Sequence, residues 1–529
     1  MDGQISEITA WKAVRDGMIG TDIRLSTPYG ERPLVYADYT ASGRALQQVE
    51  DVIGELHALY ANPHTEDSET GRVSGRWLRE AEAIIRRCIN ADPSDAVVTC
   101  GSGATGAIHK LQEILGLALP PASADRIREI EIAERPVVFI GPYEHHSNEL
   151  SWRESLAEVV SIPLGTCGGI DLAALEQALH DPAYEGRMKI GAFSAASNVT
   201  GLKTDLVPLA KLLHAHGAIL CVDAAASAPY ARIDMHPYGE AGGHIDAVYF
   251  SPHKFLGGPG ACGVLAFNTA LYRRDLPPTQ SAGGTVRYVW KDGHDFIDDI
   301  EARERAGTPG VPQIARAALA MQLQAEIGFD LIEQREQAAL RQAFETWRGN
   351  RGVEILGPEC PTRRLGIVSF NILGRQGEIV HPRLVTVLLN DLFGIQSRAG
   401  CSCAGPYGHD LLGIGDEDTQ RIRAQVLAGE AGARPGWCRV SLHWAMSEDE
   451  IRYLIDAVDF LGKHGWKFID QYDFEPSSGQ WEHKSRPAAR QSVLPSSILT
   501  ASSPRETQAR RDVGDLMEEA MSIARSAAL

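Results

Sequence analysis

The stretch from Gly242 to Leu265, GGHIDAVYFSPHKFLGGPGACGVL, decides how the chain folds. Its apolar run, Ile245 to Phe250, reads as a buried strand that ends in Ser251-Pro252-His253-Lys254. A glycine-rich turn (Gly257, Gly258, Gly260) then leads into a second apolar run, Cys262 to Phe267. A lysine at the end of such a strand stands where charge is expensive. Desolvation lowers the pKa of an amine and makes it a nucleophile toward an aldehyde. A lysine that snorkels from the strand end into water also fits this stretch, so the rest of the chain has to decide.

Outward from that stretch, strands and helices alternate. Strands are predicted at Leu34 to Asp38, Ala96 to Cys100, Val137 to Ile140, Glu158 to Pro163, Lys189 to Ser194 and Ala218 to Val222. Helical patterns run near Leu46 to Tyr60, Val73 to Asn90 and from Ala104. This alternation predicts an α/β domain with a mainly parallel sheet, and a site at the carboxyl ends of its strands. From Pro312 one long helical pattern continues to about Trp347. Strand-like Leu365 to Asn371 and Trp437 to Leu442, with helix-like Pro382 to Leu392 and Ser447 to Leu461, then make a smaller α+β unit. The organisation reads as an N-terminal segment packing on the small domain (1–30, with a helix from Ile5 to Met18), a large domain (31–311), a linking helix with the small domain (312–465), and a C-terminal extension (466–529). That extension begins aromatic and polar, turns Ser/Pro/Ala/Arg-rich and disordered in pattern from Ser485 to about Ser503, and closes with a helical pattern from Asp512 to Ala527.

A chain of 529 residues needs more than one core. With 44% hydrophobic and 23% charged residues it has the balance of a soluble enzyme. A net charge of -18 argues against a nucleic-acid partner and against an anionic membrane surface. No apolar stretch is long enough to span a bilayer, and MDGQISEITAWKAVRD has no signal-peptide pattern. Nine cysteines, several inside apolar runs (Cys100, Cys221, Cys262), suggest reduced thiols and a cytoplasmic setting.

A lysine that attacks an aldehyde brings pyridoxal 5'-phosphate (PLP) into view. That cofactor also needs an anion for its pyridine nitrogen, a ring-stacking partner and a phosphate cradle. Candidates stand at successive strand ends. Asp223 closes the apolar strand AILCV, where it fits the pyridine nitrogen and equally a helix N-cap. The stretch Thr99 to Ala107, TCGSGATGA, follows a strand and opens a helix. Its small residues would let the N–H groups of Gly103, Ala104 and Thr105 approach an anion, with Ser251 and His253 as further donors. His145, in YEHHSN, could stack on the ring or belong to a partly exposed His pair. Asn198, in SNVTG, could donate to the ring hydroxyl or simply form a turn.

In this order the pieces resemble class V of the fold-type-I PLP enzymes, and within it the cysteine desulfurase and selenocysteine lyase family, from Val35 to Leu461. SPHKFLGGPGACG at 251–263 is similar to the family's S-x-H-K-x-x-G-P-x-G-x-G pattern, with one extra glycine and with Ala261 in a glycine place. The resemblance implies a large domain with a seven-stranded sheet and a smaller α+β domain. It makes Lys254 the lysine that bonds the cofactor aldehyde, His145 the stacking residue, and Asn198 and Asp223 the ring partners. Tyr60 to His64, YANPH, resembles a substrate-side segment and so implicates Asn62 and His64. Ala306 to Pro309, AGTP, resembles a loop that crosses a dimer interface, so Thr308 would serve the partner's phosphate in a homodimer. Ser397 to Pro406, SRAGCSCAGP, resembles the R-x-G-x-x-C-A loop of the desulfurase nucleophile, which falls on Cys403 beside Arg398. Cys438 to Leu442, CRVSL, resembles the strand whose arginine, here Arg439, grips the substrate carboxylate bidentately.

Three departures stand out. Ala226 occupies the place of the family's usual Gln on the ring hydroxyl. The loop holds two thiols, Cys401 and Cys403, rather than one. The segment between Cys403 and Arg439 is long, with Tyr407-Gly408-His409-Asp410 as a candidate lid or docking element. The C-x-C pair has no second ligand pair at metal spacing, so no metal is expected. The resemblance therefore implies a cysteine desulfurase-like enzyme that takes sulfur from L-cysteine, or selenium from selenocysteine. It would leave alanine and a Cys403 persulfide, for delivery to a sulfur-acceptor protein or small thiol. The alternative is a class V aminotransferase, epimerase or lyase acting on another amino acid.

Overall fold

The computed structural model describes residues 7–123, 134–485 and 513–526. Most of the Ser/Pro/Ala/Arg-rich stretch from Ser485 to Ser503 lies outside them.

A seven-stranded sheet carries the large α/β part. Its order across the sheet is Asp95–Cys100, Gly263–Asn268, Ala247–Phe250, Ile219–Asp223, Lys189–Ser194, Val137–Ile140 and Glu158–Ser161. Six strands run the same way, and Gly263–Asn268 is antiparallel to both of its neighbours. The central strands are apolar on both faces because helices cover both sides; Val137, Val138, Phe139 and Ile140 are all buried. The expected mainly parallel sheet is what forms, and every strand predicted within it is present.

The reversed strand is what brings the functional loops together. Pairing of Gly263 with Cys100 and of Val264 with Phe250 sets the end of one strand beside the turn that follows another. The backbones approach so closely that a Cβ on Gly263 would lie 2.1 Å from the Gly103 carbonyl oxygen. Only glycine permits this.

The smaller part has a four-stranded antiparallel sheet in the order Val353–Ile355, Ile367–Ile372, Trp437–Ser441, Arg398–Gly400. Helices Pro382–Phe393 and Glu448–His464 pack with it, the latter opened by a Ser447–Glu450 capping box. The single long helix predicted over Pro312 to Trp347 is in fact two, Val311–Ile327 and Phe329–Arg348. Gly328 divides them at φ +88°, a conformation that side-chain-bearing residues avoid. The second helix is fixed by Trp347, fully buried, whose indole N–H donates to the Ile455 carbonyl at 3.0 Å. Helix Glu7–Asp16 reaches the same region: Trp11 donates to the Trp444 carbonyl at 3.1 Å, and Arg335 lies over the Trp11 ring.

Several elements after residue 280 had no sequence expectation. Hairpins form at Val286–Trp290 with Gly293–Phe296, and at Tyr472–Glu475 with Gln480–His483. Helices Gly405–Leu412 and Asp416–Leu427 fill the long segment after Cys403. The closing helix, Val513–Ser526, buries Leu516, Ala520 and Ala524.

Truncating Trp347 removes a large buried ring and a hydrogen bond at the joint of two helices. Trp347→Ala is expected to cost about 3–5 kcal/mol in denaturant unfolding, against under about 0.5 kcal/mol for exposed Arg341→Ala. Equal effects of the two would mean that this joint is not structurally important.

Candidate active site

Strand Ala247–Phe250 ends at Ser251, and a single tight turn, Pro252–Lys254, aims Lys254 into a cavity of about 190 Å³. Asp223, at the end of the neighbouring parallel strand, lines the same cavity. Lys254 is half-buried by exposure, with its amine enclosed by protein around the cavity. Desolvation pulls that amine down to about 8, against the pull of the Asp223 carboxylate, which holds it up. Burial raises the Asp223 carboxyl in turn, while the Ala225 N–H, donating at 2.8 Å, and the Lys254 charge lower it. His145 lines the cavity with its Nδ1 accepting the Ser147 N–H at 3.1 Å. Burial and then the Lys254 charge press His145 down to about 3, so it meets a ligand as a neutral ring.

One end of the cavity is made for an anion. Ser102, Thr105, Ser251 and His253 converge there, at the amino end of helix Gly103–Ile114. Gly103 has φ +57°, and a Cβ on it would meet Ser251 Oγ at 2.6 Å. The Ala104 N–H donates to Ser251 Oγ at 2.8 Å, which ties the helix amino end to the strand end that leads to Lys254.

The other end is cationic. Arg398 and Arg439 stand directly opposite one another on adjacent antiparallel strands, and both line the cavity. Like charges in this position repel. Arg439 is buried; it donates to the Asn198 carbonyl at 2.9 Å and pairs with Asp38 at 3.2 Å, while its Nε has no partner. Asn198 donates its side-chain N–H to the Ser402 carbonyl at 2.7 Å, leaving a buried, unpartnered Oδ1. Ala226 lines the cavity and offers it only a methyl group.

Cys403 is close enough for its charge to act on Lys254, but it does not line this cavity. It lines an adjoining one together with Cys401. Ser402 and Cys403 both adopt left-handed backbone, φ +51° and +58°, which costs roughly 1–2 kcal/mol per residue without a glycine. Two residues that sequence reasoning passed over hold this region. His146 donates its N–H to the Cys403 carbonyl at 2.7 Å and accepts the Gly405 N–H at 3.0 Å, and Asp38 anchors Arg439. The doubled His of YEHHSN and the acid in VYADYT were the available signals.

Asn62, His64 and Thr308 are not brought to Lys254. They are exposed and sit together elsewhere, with Asn62 donating to Thr308 Oγ1 at 3.1 Å and His64 facing the Gly307 carbonyl at 3.3 Å. Thr308 borders a separate cavity of about 460 Å³. Among the described residues, the groups that could share a metal are His214, His244 and Asp246, and Asp92, Asp95 and His236; neither includes Cys401 or Cys403.

A lysine and an aspartate at adjacent strand ends of this sheet, facing a helix amino end, define fold-type I of the PLP-dependent enzymes. The chain belongs to the aminotransferase class-V family, whose pattern matches residues 35–454. It is 29% identical over 378 residues to a probable cysteine desulfurase of Staphylococcus aureus, covering 70% of this chain and 84% of that protein. A probable cysteine desulfurase of Halalkalibacterium halodurans is 29% identical over 385 residues, covering 71% and 85%. Among solved structures, the apo cysteine desulfurase of Thermococcus onnurineus superposes with TM-score 0.65 at 24% identity, over 81% of this chain and 95% of that one. A cysteine desulfurase of Escherichia coli gives 0.61 at 22% identity, over 80% and 93%.

The donor set fits PLP: an enclosed amine, a buried carboxylate beside it, a neutral imidazole, and a hydroxyl-lined helix end that a Cβ at position 103 would fill. Amine attack on an aldehyde requires the neutral base. Trapping of Lys254 by PLP and cyanoborohydride, read by mass spectrometry, is therefore expected to rise with pH through about 8 and then level off. Asp223→Asn removes the charge that holds the proton on, so its midpoint is expected to move to lower pH. A midpoint in the ordinary lysine range near 10.4 would contradict this site.

Proposed function

We propose that this chain is a PLP-dependent cysteine desulfurase that converts L-cysteine to alanine and passes its sulfur to Cys403. The observation that carries the reading is the convergence on one amine. Asp223, Arg398 and Arg439 line the cavity that holds Lys254, and their charges, with that of Cys403, act on its amine. Supporting it are the curated relatives named as probable cysteine desulfurases.

When bound, PLP would act as an electron sink for the carbon that carries the substrate amine. Lys254 would hold the cofactor aldehyde, and its neutral amine would then move a proton at the substrate Cα. Asp223 would keep the pyridine nitrogen protonated, and Ser102, Thr105, Ser251 and His253 would hold the phosphate. His145, neutral, would cover the ring face without adding charge.

A substrate carboxylate between Arg398 and Arg439 would relieve the repulsion of that cross-strand pair, and the free Nε of Arg439 is a donor for it. The Cys403 thiolate would attack the substrate sulfur, breaking the C–S bond and forming the S–S bond of a persulfide. Cys403 faces the adjoining cavity, so this step requires the 402–403 loop to turn. Its two left-handed residues, Ser402 and Cys403, set the orientation from which it would turn.

The exposed cluster of Asn62, His64 and Thr308, outside the lining of the Lys254 cavity, suits residues that serve a partner's site. A homodimer in a cytoplasmic setting is therefore part of the proposal, and selenocysteine stays within its substrate class. The altered corner at Ala226 favours the second reading, an aminotransferase, epimerase or lyase of the same family.

The test is to load the full chain with PLP, add L-cysteine, and measure alanine and sulfide together. Equal yields are expected. Cys403→Ala should lose at least about a hundredfold in sulfur release, the scale on which removing a reacting group acts, while still binding PLP. Undiminished release from a Cys401→Ala, Cys403→Ala double variant would overturn the proposal. Transfer of an amino group without sulfide would favour the second reading.

A further inference from the structure

The thiol of the Cys403 loop opens away from the cofactor cavity into a second one, of about 170 Å³. Both Cys401 and Cys403 line it, with Arg383, Arg398 and Arg434 around them. Among the described residues no carboxylate lines it, although the chain as a whole carries a charge of -18. Arg398 and Arg434 make no side-chain hydrogen bond or ion pair among the described residues. His381 adds no charge to the wall: burial lowers its pKa, its Nδ1 accepts the Arg383 N–H, and its Nε2 faces the Gly432 carbonyl.

Ser402 and Arg398 line both cavities, so they form the partition between them. Ser402 is 6% exposed, and its Oγ is buried without a partner.

The outer wall comes from the end of the long segment after Cys403, residues 431–436. Behind it, outside the lining, stands the hairpin Tyr472–Glu475 with Gln480–His483, which lies beyond the 35–454 family match. The hairpin braces the wall directly. Gly432 donates its N–H to the Pro476 carbonyl at 2.9 Å, Arg383 donates to the Ser478 carbonyl, and Phe474 and Trp481 pack on the His381 ring.

We propose that this second cavity is the acceptor site of the reaction, selective for a small thiol that carries a carboxylate. The arginines would hold the carboxylate, and the bound thiolate would attack the outer sulfur of the Cys403 persulfide. The persulfide S–S bond breaks, Cys403 leaves as thiolate, and a new S–S bond forms on the acceptor. One thiolate is consumed and one released, so no outside oxidant or reductant enters. The persulfide rests on the desulfurase reading above; the anion selectivity of the cavity does not.

Alkylation tests the cavity without any turnover. The full-length protein is treated with iodoacetate or with neutral iodoacetamide, and each cysteine is read by tandem mass spectrometry. Exposed Cys167 serves as the internal reference. The iodoacetate-to-iodoacetamide ratio at Cys401 and Cys403 is expected to exceed that at Cys167 by about tenfold, the scale of one charge-assisted contact. It should fall to the Cys167 ratio in an Arg383→Gln, Arg434→Gln double variant. A wild-type ratio equal to that of Cys167, or one unmoved by the double variant, would overturn the proposal.

With PLP and L-cysteine present, 3-mercaptopropionate should then accept sulfur faster than 2-mercaptoethanol, and cysteamine slowest. Equal rates for the three would also overturn it. Absence of alanine with every thiol would defeat the desulfurase reading and leave the alkylation result to judge the cavity.

Discussion

A primary amine held where water cannot fully solvate it is the constraint around which this protein is built. Desolvation alone would strip the proton from Lys254, and a nearby carboxylate alone would fix it in place. The sheet supplies both in opposition. Asp223 pairs in register with Tyr249 on the next strand, five residues before Lys254, so the two groups cannot be separated without breaking a parallel ladder. The same balance fixes the character of the neighbours. His145 is forced neutral beside a cationic amine, and the two facing arginines leave the far end of the cavity short of negative charge.

The sequence disclosed this centre because its demands are local and chemical. Apolar runs such as VVFI and AILCV announce strands buried on both faces, and glycines mark the places where backbone must approach backbone, as Gly263 approaches Gly103. What stayed hidden depended on tertiary context. The break at Gly328 interrupts a helical pattern with a single residue, and an isolated glycine inside such a pattern can also be tolerated without a break. The hairpin at 472–483 has strands of only four residues each, so the alternation in YDFE is too brief to separate a strand from a polar, aromatic loop. Cys403 was legible as a residue type in a motif, yet the direction it faces follows from two left-handed residues that no motif encodes.

The two cavities share a partition but differ in what stands behind them. Residues of the cofactor cavity fall within the family match, whereas the hairpin that braces the thiol cavity lies after it. A common chemical centre is thus joined to a cavity whose lining also falls within the family match, and only the brace behind that lining comes from beyond it. Fold alone does not determine what leaves such a site. In this molecule the segment around Gly432, seated on Pro476, forms one wall of the thiol cavity and places Arg434 in it.

The reversed strand has a consequence for how the protein is made. Asp95–Cys100 lies at the border of the sheet, and among the described residues Gly263–Asn268 is its single strand partner. On a ribosome that partner emerges long after it. At about 5–20 residues per second the border strand waits on the order of ten seconds with both edges open. An apolar strand in that state is a template for pairing with other nascent chains. Slowed translation between residues 100 and 263 would lengthen the exposure, and a chaperone that shields this segment would matter most during synthesis rather than afterwards.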